Sequence, residues 1–159
     1  MAQLQLLRVD HGPALLEFER ENRAYFAASI PDRGDDYFAE FDARHAALLA
    51  EQAVGTCRFH LVVGDDGEIL GRVNLLDLQA GSAELGYRIA ERAAGQGLAT
   101  ASVRQVCALA SGAYGLTSLT ARTTLDNTGS RAVLTRTGFT PGAEIELSGR
   151  PGLSFVRGL

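Results

Sequence analysis

The residues from Arg92 to Thr100 have the types and the spacing of an anion-binding loop. Gly95 and Gly97, flanked by alanines, stand between a β-like run and an amphipathic helical pattern that begins at Gly97. The first N–H groups of a helix have no partner inside the helix and can hold an anion, typically a phosphate. Small residues leave those amides accessible. The sequence therefore predicts that a phosphorylated ligand binds here.

Spacing excludes two common kinds of phosphate loop. A dinucleotide-binding fingerprint needs a third glycine at the position that Thr100 occupies. A P-loop needs a lysine after its last glycine, and this chain contains no lysine. From this stretch alone, the alternative that the glycine loop serves only as a turn stays open.

What remains, R-x-x-G-x-G from Arg92 to Gly97, resembles the acetyl-coenzyme A loop of the GNAT N-acetyltransferase superfamily. Downstream, the segment from Asp126 to Phe139 resembles the N-x-x-S-x-x-x-L-x-x-x-G-F signature that closes the coenzyme site there. Within the superfamily the chain is most similar to the RimJ/RimL group of ribosomal-protein N-terminal acetyltransferases, most strongly over residues 71–140. The resemblance implies acetyl-CoA as co-substrate and one GNAT domain over residues 1–159.

The resemblance also implies which residues contact the coenzyme. Backbone groups of one strand would pair with the pantetheine arm, amides of the loop would hold the diphosphate, and Asn127 would contact the arm. A surface role for Arg92 stays open, since the motif tolerates glutamine there. The expected coenzyme-binding residues are Tyr87, Arg88, Ile89, Arg92, Gly95, Gln96, Gly97, Leu98, Ala99, Thr100 and Asn127.

Direct attack of an amine on the acetyl thioester needs an unprotonated amine and a proton for the departing thiolate. Glu84 matches the strand glutamate that superfamily members place at the acceptor side, and it is the candidate base; a plain surface residue is the alternative. Many members supply the proton from a tyrosine four residues before the glycine of G-F, where this chain has Leu134. Ser130, one turn earlier, is therefore the candidate acid, and a helix-capping role is its alternative.

The leading functional prediction is an N-acetyltransferase that acts on the N-terminal α-amine of a protein or peptide. A small-amine acceptor, such as an amino acid, polyamine or antibiotic, stays open, as does a non-catalytic sensor that binds acyl-CoA. A homodimer is a further open possibility. Residues 1–77 hold fourteen acids against seven arginines, and this half would face the acceptor. An acidic acceptor side would suit an amine or a basic peptide.

Composition narrows the class of protein. The chain has 159 residues and a net charge of −4, which disfavours a nucleic-acid surface. No apolar run is long enough to cross a membrane and no signal peptide is indicated, so we expect a cytoplasmic protein. Two cysteines and three histidines lie far apart, without metal-ligand spacing, and no metal is expected.

The elements that must position these residues follow from periodicity. The pattern predicts the order β-α-α-β-β-β-α-β-α-β-β, with helices starting near Pro13, Asp35, Gly97 and Gly129. An Asp-Gly turn at 64–68 predicts a hairpin, and a final hairpin is expected around residues 148–152. This order predicts an α+β fold with a mostly antiparallel mixed sheet and helices on both faces, the arrangement of the GNAT acyl-CoA N-acyltransferase fold.

Overall fold

Seven strands form one sheet in a computed structural model that describes residues 2–159. Their order across the sheet is β1-β2-β3-β4-β5-β7-β6. Within residues 2–159 the only parallel pair joins β4 to β5, and every other neighbouring pair is antiparallel. The strands are β1 Gln3–Leu6, β2 Arg58–Val63, β3 Ile69–Gln79, β4 Ser82–Ile89, β5 Ser118–Thr124, β6 Thr140–Leu147 and β7 Arg150–Gly158. This is the predicted mixed sheet of the GNAT fold.

Helices cover both faces of the sheet, as the sequence predicts. On one face lie α1 Gly12–Glu21, α2 Arg23–Ala27, α3 Asp35–Ala39 and α4 Phe41–Ala53; on the other lie α5 Leu98–Ser111 and α6 Thr128–Arg136. Alternating strand residues feed two apolar cores, because successive side chains point to opposite faces. Val73, Leu75 and Leu85 pack against α5, whereas Phe59 and Leu61 pack against α1 and its neighbours.

Each of the two predicted N-terminal helices is broken once. The first break is at Asn22, whose buried side chain donates to the Phe18 carbonyl at 2.9 Å and accepts from the Glu91 N–H at 2.9 Å. A side chain that bonds the backbone competes with helix continuation. Asn22 thereby ties the end of α1 to the segment that follows β4. The second break, at Glu40, separates α3 from α4.

The final hairpin is tighter than predicted. Its strands reach Leu147 and Arg150, so the connection is only Ser148-Gly149. Both residues have positive φ, 50° and 79°, as a two-residue turn between twisted antiparallel strands requires. The consequence is a longer hairpin whose tip carries Arg150.

Among residues 2–159, no helix is long and apolar enough to cross a membrane. No group of three or more potential metal ligands is found in the same residues. Cys57 and Cys107 are buried free thiols, and His11, His45 and His60 are buried with hydrogen-bond partners.

Candidate active site

The glycine loop leads into α5 in the predicted way. Gly95 and Gly97 have φ values of 73° and 76°, a conformation that favours glycine, and a Cβ at either would meet no protein atom within 4 Å. The first helical hydrogen bond runs from the Ala101 N–H to the Gly97 carbonyl at 3.0 Å. No side chain caps this end, so the amides of Leu98 to Thr100 have no helical acceptor. The helix therefore presents an open set of donors suited to an anion.

Beside this helix start lies a first cavity of about 420 Å³. It extends from the amides of α5 along β4 to the beginning of α6. Among the residues expected to contact the coenzyme, those lining this cavity are Tyr87, Arg88, Ile89, Gly95, Gly97, Leu98, Ala99, Thr100 and Asn127. The structure thus brings together nine of the eleven residues predicted for coenzyme binding.

Two residues expected to contact the coenzyme, Arg92 and Gln96, lie outside the first cavity. Arg92 is about half exposed and lies 3.9 Å from both Glu21 and Glu68. Gln96 is exposed and its side chain donates to the Arg92 carbonyl at 3.3 Å. Neither lines the first cavity, so their roles in binding stay predictions.

A gap opens in the sheet between β4 and β5. Their parallel pairing begins at Ser82 with Ser118 and ends at Leu85 with Ala121. Beyond that point, residues 86–89 keep their pairing with β3, while β5 continues only against β7. The edge of β4 that faces the gap therefore offers backbone donors and acceptors to an extended ligand, which would add to the sheet like a strand.

A second cavity, of about 540 Å³, meets the first at this gap. It lies between β4, β5, the segment after α2 and the tip of the last hairpin. The residues that line both cavities are Ser29, Ile30, Tyr87, Arg88, Asn127 and Ser130. A ligand in one cavity can therefore contact a ligand in the other at the gap.

Asn127 and Ser130 have different roles at the start of α6. The Asn127 Oδ1 accepts from the Ser130 backbone N–H at 3.1 Å, so Asn127 caps α6. The Ser130 hydroxyl is left to interact with the Tyr87 phenol. Burial raises the pKa of Tyr87, and the contact with Ser130 only partly offsets this, so the phenol keeps its proton at neutral pH. Leu134, where many GNAT enzymes have tyrosine, is buried in the core.

Glu84 lies on the same face of β4 as Arg88, since they are four residues apart on one strand. Its carboxylate accepts from Arg122 Nε at 2.9 Å and does not line either cavity. Arg122 itself lines the second cavity. Glu84 therefore reaches that cavity only through water or after Arg122 moves aside.

The second cavity is not acidic, in contrast to the expectation from the charge of residues 1–77. Arg33, Arg88, Arg122 and Arg150 line it, and no described aspartate or glutamate does. The expectation is wrong because the cavity draws on both halves of the chain and the acids of the first half mostly point to solvent. Arg33 and Arg150 were not singled out from sequence, since loop arginines carry no periodic signal.

Comparisons with known proteins agree with this geometry. The model of the acetyltransferase (GNAT) domain family matches residues 3–140. A comparison with curated protein sequences found no match.

Among solved structures, the ribosomal-protein-S5-alanine acetyltransferase from Vibrio fischeri is 18% identical with a TM-score of 0.92, over 98% of this chain and 92% of that chain. Mycobacterium smegmatis RimJ, in complex with CoA-disulfide, is 23% identical with a TM-score of 0.88, over 99% and 81%. Spermidine N-acetyltransferase from Vibrio cholerae is 15% identical with a TM-score of 0.76, over 98% and 94%. At these identities the structural likeness concerns the fold. Because the family model covers most of the chain, the chain belongs to the GNAT family and is an N-acetyltransferase that uses acetyl-CoA.

Proposed function

We propose that this enzyme acetylates the α-amino group at the N-terminus of a protein or peptide. The observation that carries the proposal is the second cavity, which is open to solvent and meets the first cavity at the sheet gap. Its volume, about 540 Å³, lies within the range of ligand-binding pockets. The first residues of a chain can enter from the side of Ile30 and the hairpin tip. One relative of the same fold is named for the alanine of ribosomal protein S5.

In this proposal the first cavity receives acetyl-CoA, which supplies the acetyl thioester that the amine attacks. The fit rests on three features of the chain: the uncapped start of α5, the side-chain-free surface of Gly95 and Gly97, and the unpaired edge of β4. The amides of Leu98 to Thr100 would hold the diphosphate. Backbone groups of Tyr87 to Ile89 would hold the pantetheine arm, and one of their N–H groups would stabilise the developing negative charge on the acetyl oxygen.

Ser130 is the proposed proton donor to the departing thiolate. It lines both cavities, so its hydroxyl lies where donor and acceptor would meet. Its neighbour Tyr87 is protonated at neutral pH because burial raises the pKa of the phenol. A proton given up by the serine can therefore be replaced from the tyrosine, and the pair supplies the function that Leu134 lacks.

Glu84 is the proposed base for the incoming amine. An α-amino group has a pKa near 8 and is largely protonated at neutral pH, so removal of a proton is needed before attack. The carboxylate of Glu84 is held by Arg122, which itself lines the second cavity. This arrangement favours proton removal through a water molecule rather than direct contact.

A small amine is the second candidate acceptor, because the same fold occurs in a spermidine N-acetyltransferase. The four arginines that line the second cavity oppose a polyamine, which would bring like charges together. Within the small-amine class, an amino acid and an antibiotic therefore remain as candidates.

The test measures acetyl transfer through the release of free thiol from acetyl-CoA. The panel contains peptides with different N-terminal residues, the same peptides with blocked N-termini, free amino acids and spermidine. Turnover on free but not on blocked peptides supports the proposal. Turnover on amino acids alone supports the small-amine alternative. Spermidine as the best acceptor contradicts both the proposed peptide acceptor and the argument that the four arginines oppose a polyamine.

A further inference from the structure

The second cavity has an unbalanced charge. Its four lining arginines are accompanied by the buried Arg72, which shares Glu19 with two of them. The carboxylates that bind these five arginines are Glu19, Glu84 and Asp126. Two of the pairs are one-to-one: Arg122 with Glu84, and Arg150 with Asp126. The imbalance therefore lies in the group around Glu19.

Among the described residues, Glu19 is the single carboxylate for three guanidinium groups. Its oxygens are 2.8 Å from Arg33 Nε, 2.7 Å from Arg72 Nη1 and 3.1 Å from Arg88 Nη1. Glu19 is 1% exposed, and burial alone would raise its pKa, but the three arginines outweigh burial and lower it. The carboxylate is therefore ionised, and the group of four side chains keeps two positive charges in excess.

Arg88 carries the clearest sign of this excess. Burial lowers its pKa to about 10, and the nearby charge of Arg33 adds to the effect. Among the described residues its guanidinium has one hydrogen-bond partner, Glu19, and it otherwise lies over the ring of Phe26 at 4.7 Å. A guanidinium that is only 18% exposed and has unused donors is stabilised by a further anion.

The position of Arg88 links this excess charge to the reaction. It follows Tyr87 on β4 and lines both cavities at the gap, where the acceptor amine would meet the thioester. Arg33 lines the second cavity but not the first. The coenzyme diphosphate, held at the start of α5, would therefore not balance the excess positive charge on the side of Arg33.

We infer that the acceptor carries a carboxylate or another anionic group close to its amine, and that Arg88 and Arg33 bind this group. The inference rests on the proposed function and narrows its substrate class. An acidic residue next to the N-terminus of a peptide and the carboxylate of a free amino acid share this chemistry. A neutral or cationic acceptor would leave the excess charge in place and lose a charge-assisted interaction.

The experiment compares acceptors that differ by one charge. Ser-Asp and Ser-Asn peptides with amidated C-termini form one pair, and free serine and serinamide form the other. The ratio of kcat/KM within each pair is measured at saturating acetyl-CoA for the wild type, Arg88→Gln and Arg33→Gln. Glu19 keeps two arginines in each variant, and melting curves check that both remain folded. Arg20→Gln, on the exposed side of α1, is the matched control.

In at least one pair, we expect kcat/KM to be about 10- to 100-fold higher for the acceptor with the additional carboxylate, the range for hydrogen bonds to charged groups. Arg88→Gln and Arg33→Gln should reduce this preference, whereas Arg20→Gln should retain it, and added salt should weaken it. The pair that shows the preference identifies the source of the anion. The inference would be overturned by equal kcat/KM for the two members of each pair. It would also be overturned if the arginine variants lowered kcat/KM equally for both members.

A separate readout covers the case in which no amine in the panel is acetylated, which would count against the proposed function. Binding of N-acetyl-Ser-Asp amide and N-acetyl-Ser-Asn amide to the CoA-loaded protein is then measured by calorimetry. Tighter binding of the acidic peptide, lost in Arg88→Gln, supports the anion site independently of turnover. Equal affinity for the two peptides overturns it.

Discussion

Replacing Ser130 by alanine separates a catalytic role from a structural one. The serine lines both cavities, and its hydroxyl faces Tyr87. The cap of α6 is instead the Asn127 Oδ1, which accepts from the Ser130 backbone N–H at 3.1 Å, and alanine keeps that N–H. We therefore expect a change in stability of at most about 0.5 kcal/mol. Loss of the proton donor should lower kcat by about 10²- to 10⁴-fold.

Two neighbouring variants provide the comparison. Asn127→Ala removes the cap and should cost about 1 kcal/mol of stability. For a chain of this length that corresponds to a fall in Tm of about 2–4 °C. Thr128→Ala changes an exposed residue of the same turn that lines neither of the two cavities, and it should alter neither quantity.

The assay is free-thiol release at saturating acetyl-CoA, combined with melting curves and a CoA titration for each variant. Ser130→Ala should retain the wild-type Tm and CoA affinity while kcat falls. A kcat within threefold of the wild type would refute the assignment of Ser130 as the acid. Parallel losses of kcat and Tm would show instead that the serine acts on the helix.

Three further outcomes are expected. Gly97→Ala and the control Gly67→Ala should each lose about 1–2 kcal/mol of stability, because both glycines have a left-handed φ, 76° and 81°. Calorimetry should show weaker CoA binding only for Gly97→Ala, because Gly97 lines the first cavity. Equal CoA affinities of the two variants would argue against the loop as the coenzyme site. Glu19→Gln should lose about 3–5 kcal/mol of stability in urea unfolding at pH 7, since it leaves the buried Arg72 and the partly exposed Arg33 and Arg88 without their carboxylate, and a loss under 1 kcal/mol would contradict this. Because the folded pKa of Glu19 is lowered, its contribution is present above the unfolded value and is lost as pH falls below about 4.5, so wild type and variant should converge in acid. Tyr87→Phe removes the proposed proton source for Ser130 and should lower kcat by about 10²- to 10⁴-fold with the KM for acetyl-CoA unchanged.

The order of elements was predictable because each depends on local pattern. The apolar period of β2 and β3, the Asp-Gly turn between them and the glycines before α5 are all readable within short windows. The breaks at Asn22 and Glu40 were not predicted. Asn22 interrupts its helix while its side chain bonds Glu91, a residue 69 positions away. A contact at that separation has no local signature.

The sequence by itself determined the shape of the glycine loop proposed to bind the coenzyme, because the backbone conformation of Gly95 and Gly97 and the free amides of α5 are consequences of residue type and order. It also determined the pairing of Asn127 with Ser130, which are three residues apart at one helix start. Only the tertiary structure decided the charge of the second cavity. Arg33 and Arg88 lie 55 positions apart in sequence, and they share Glu19 because α1 packs across β3 and β4. Electrostatic energy depends on distance in space rather than along the chain, so the acidic composition of the first half did not predict a cavity lined by arginines.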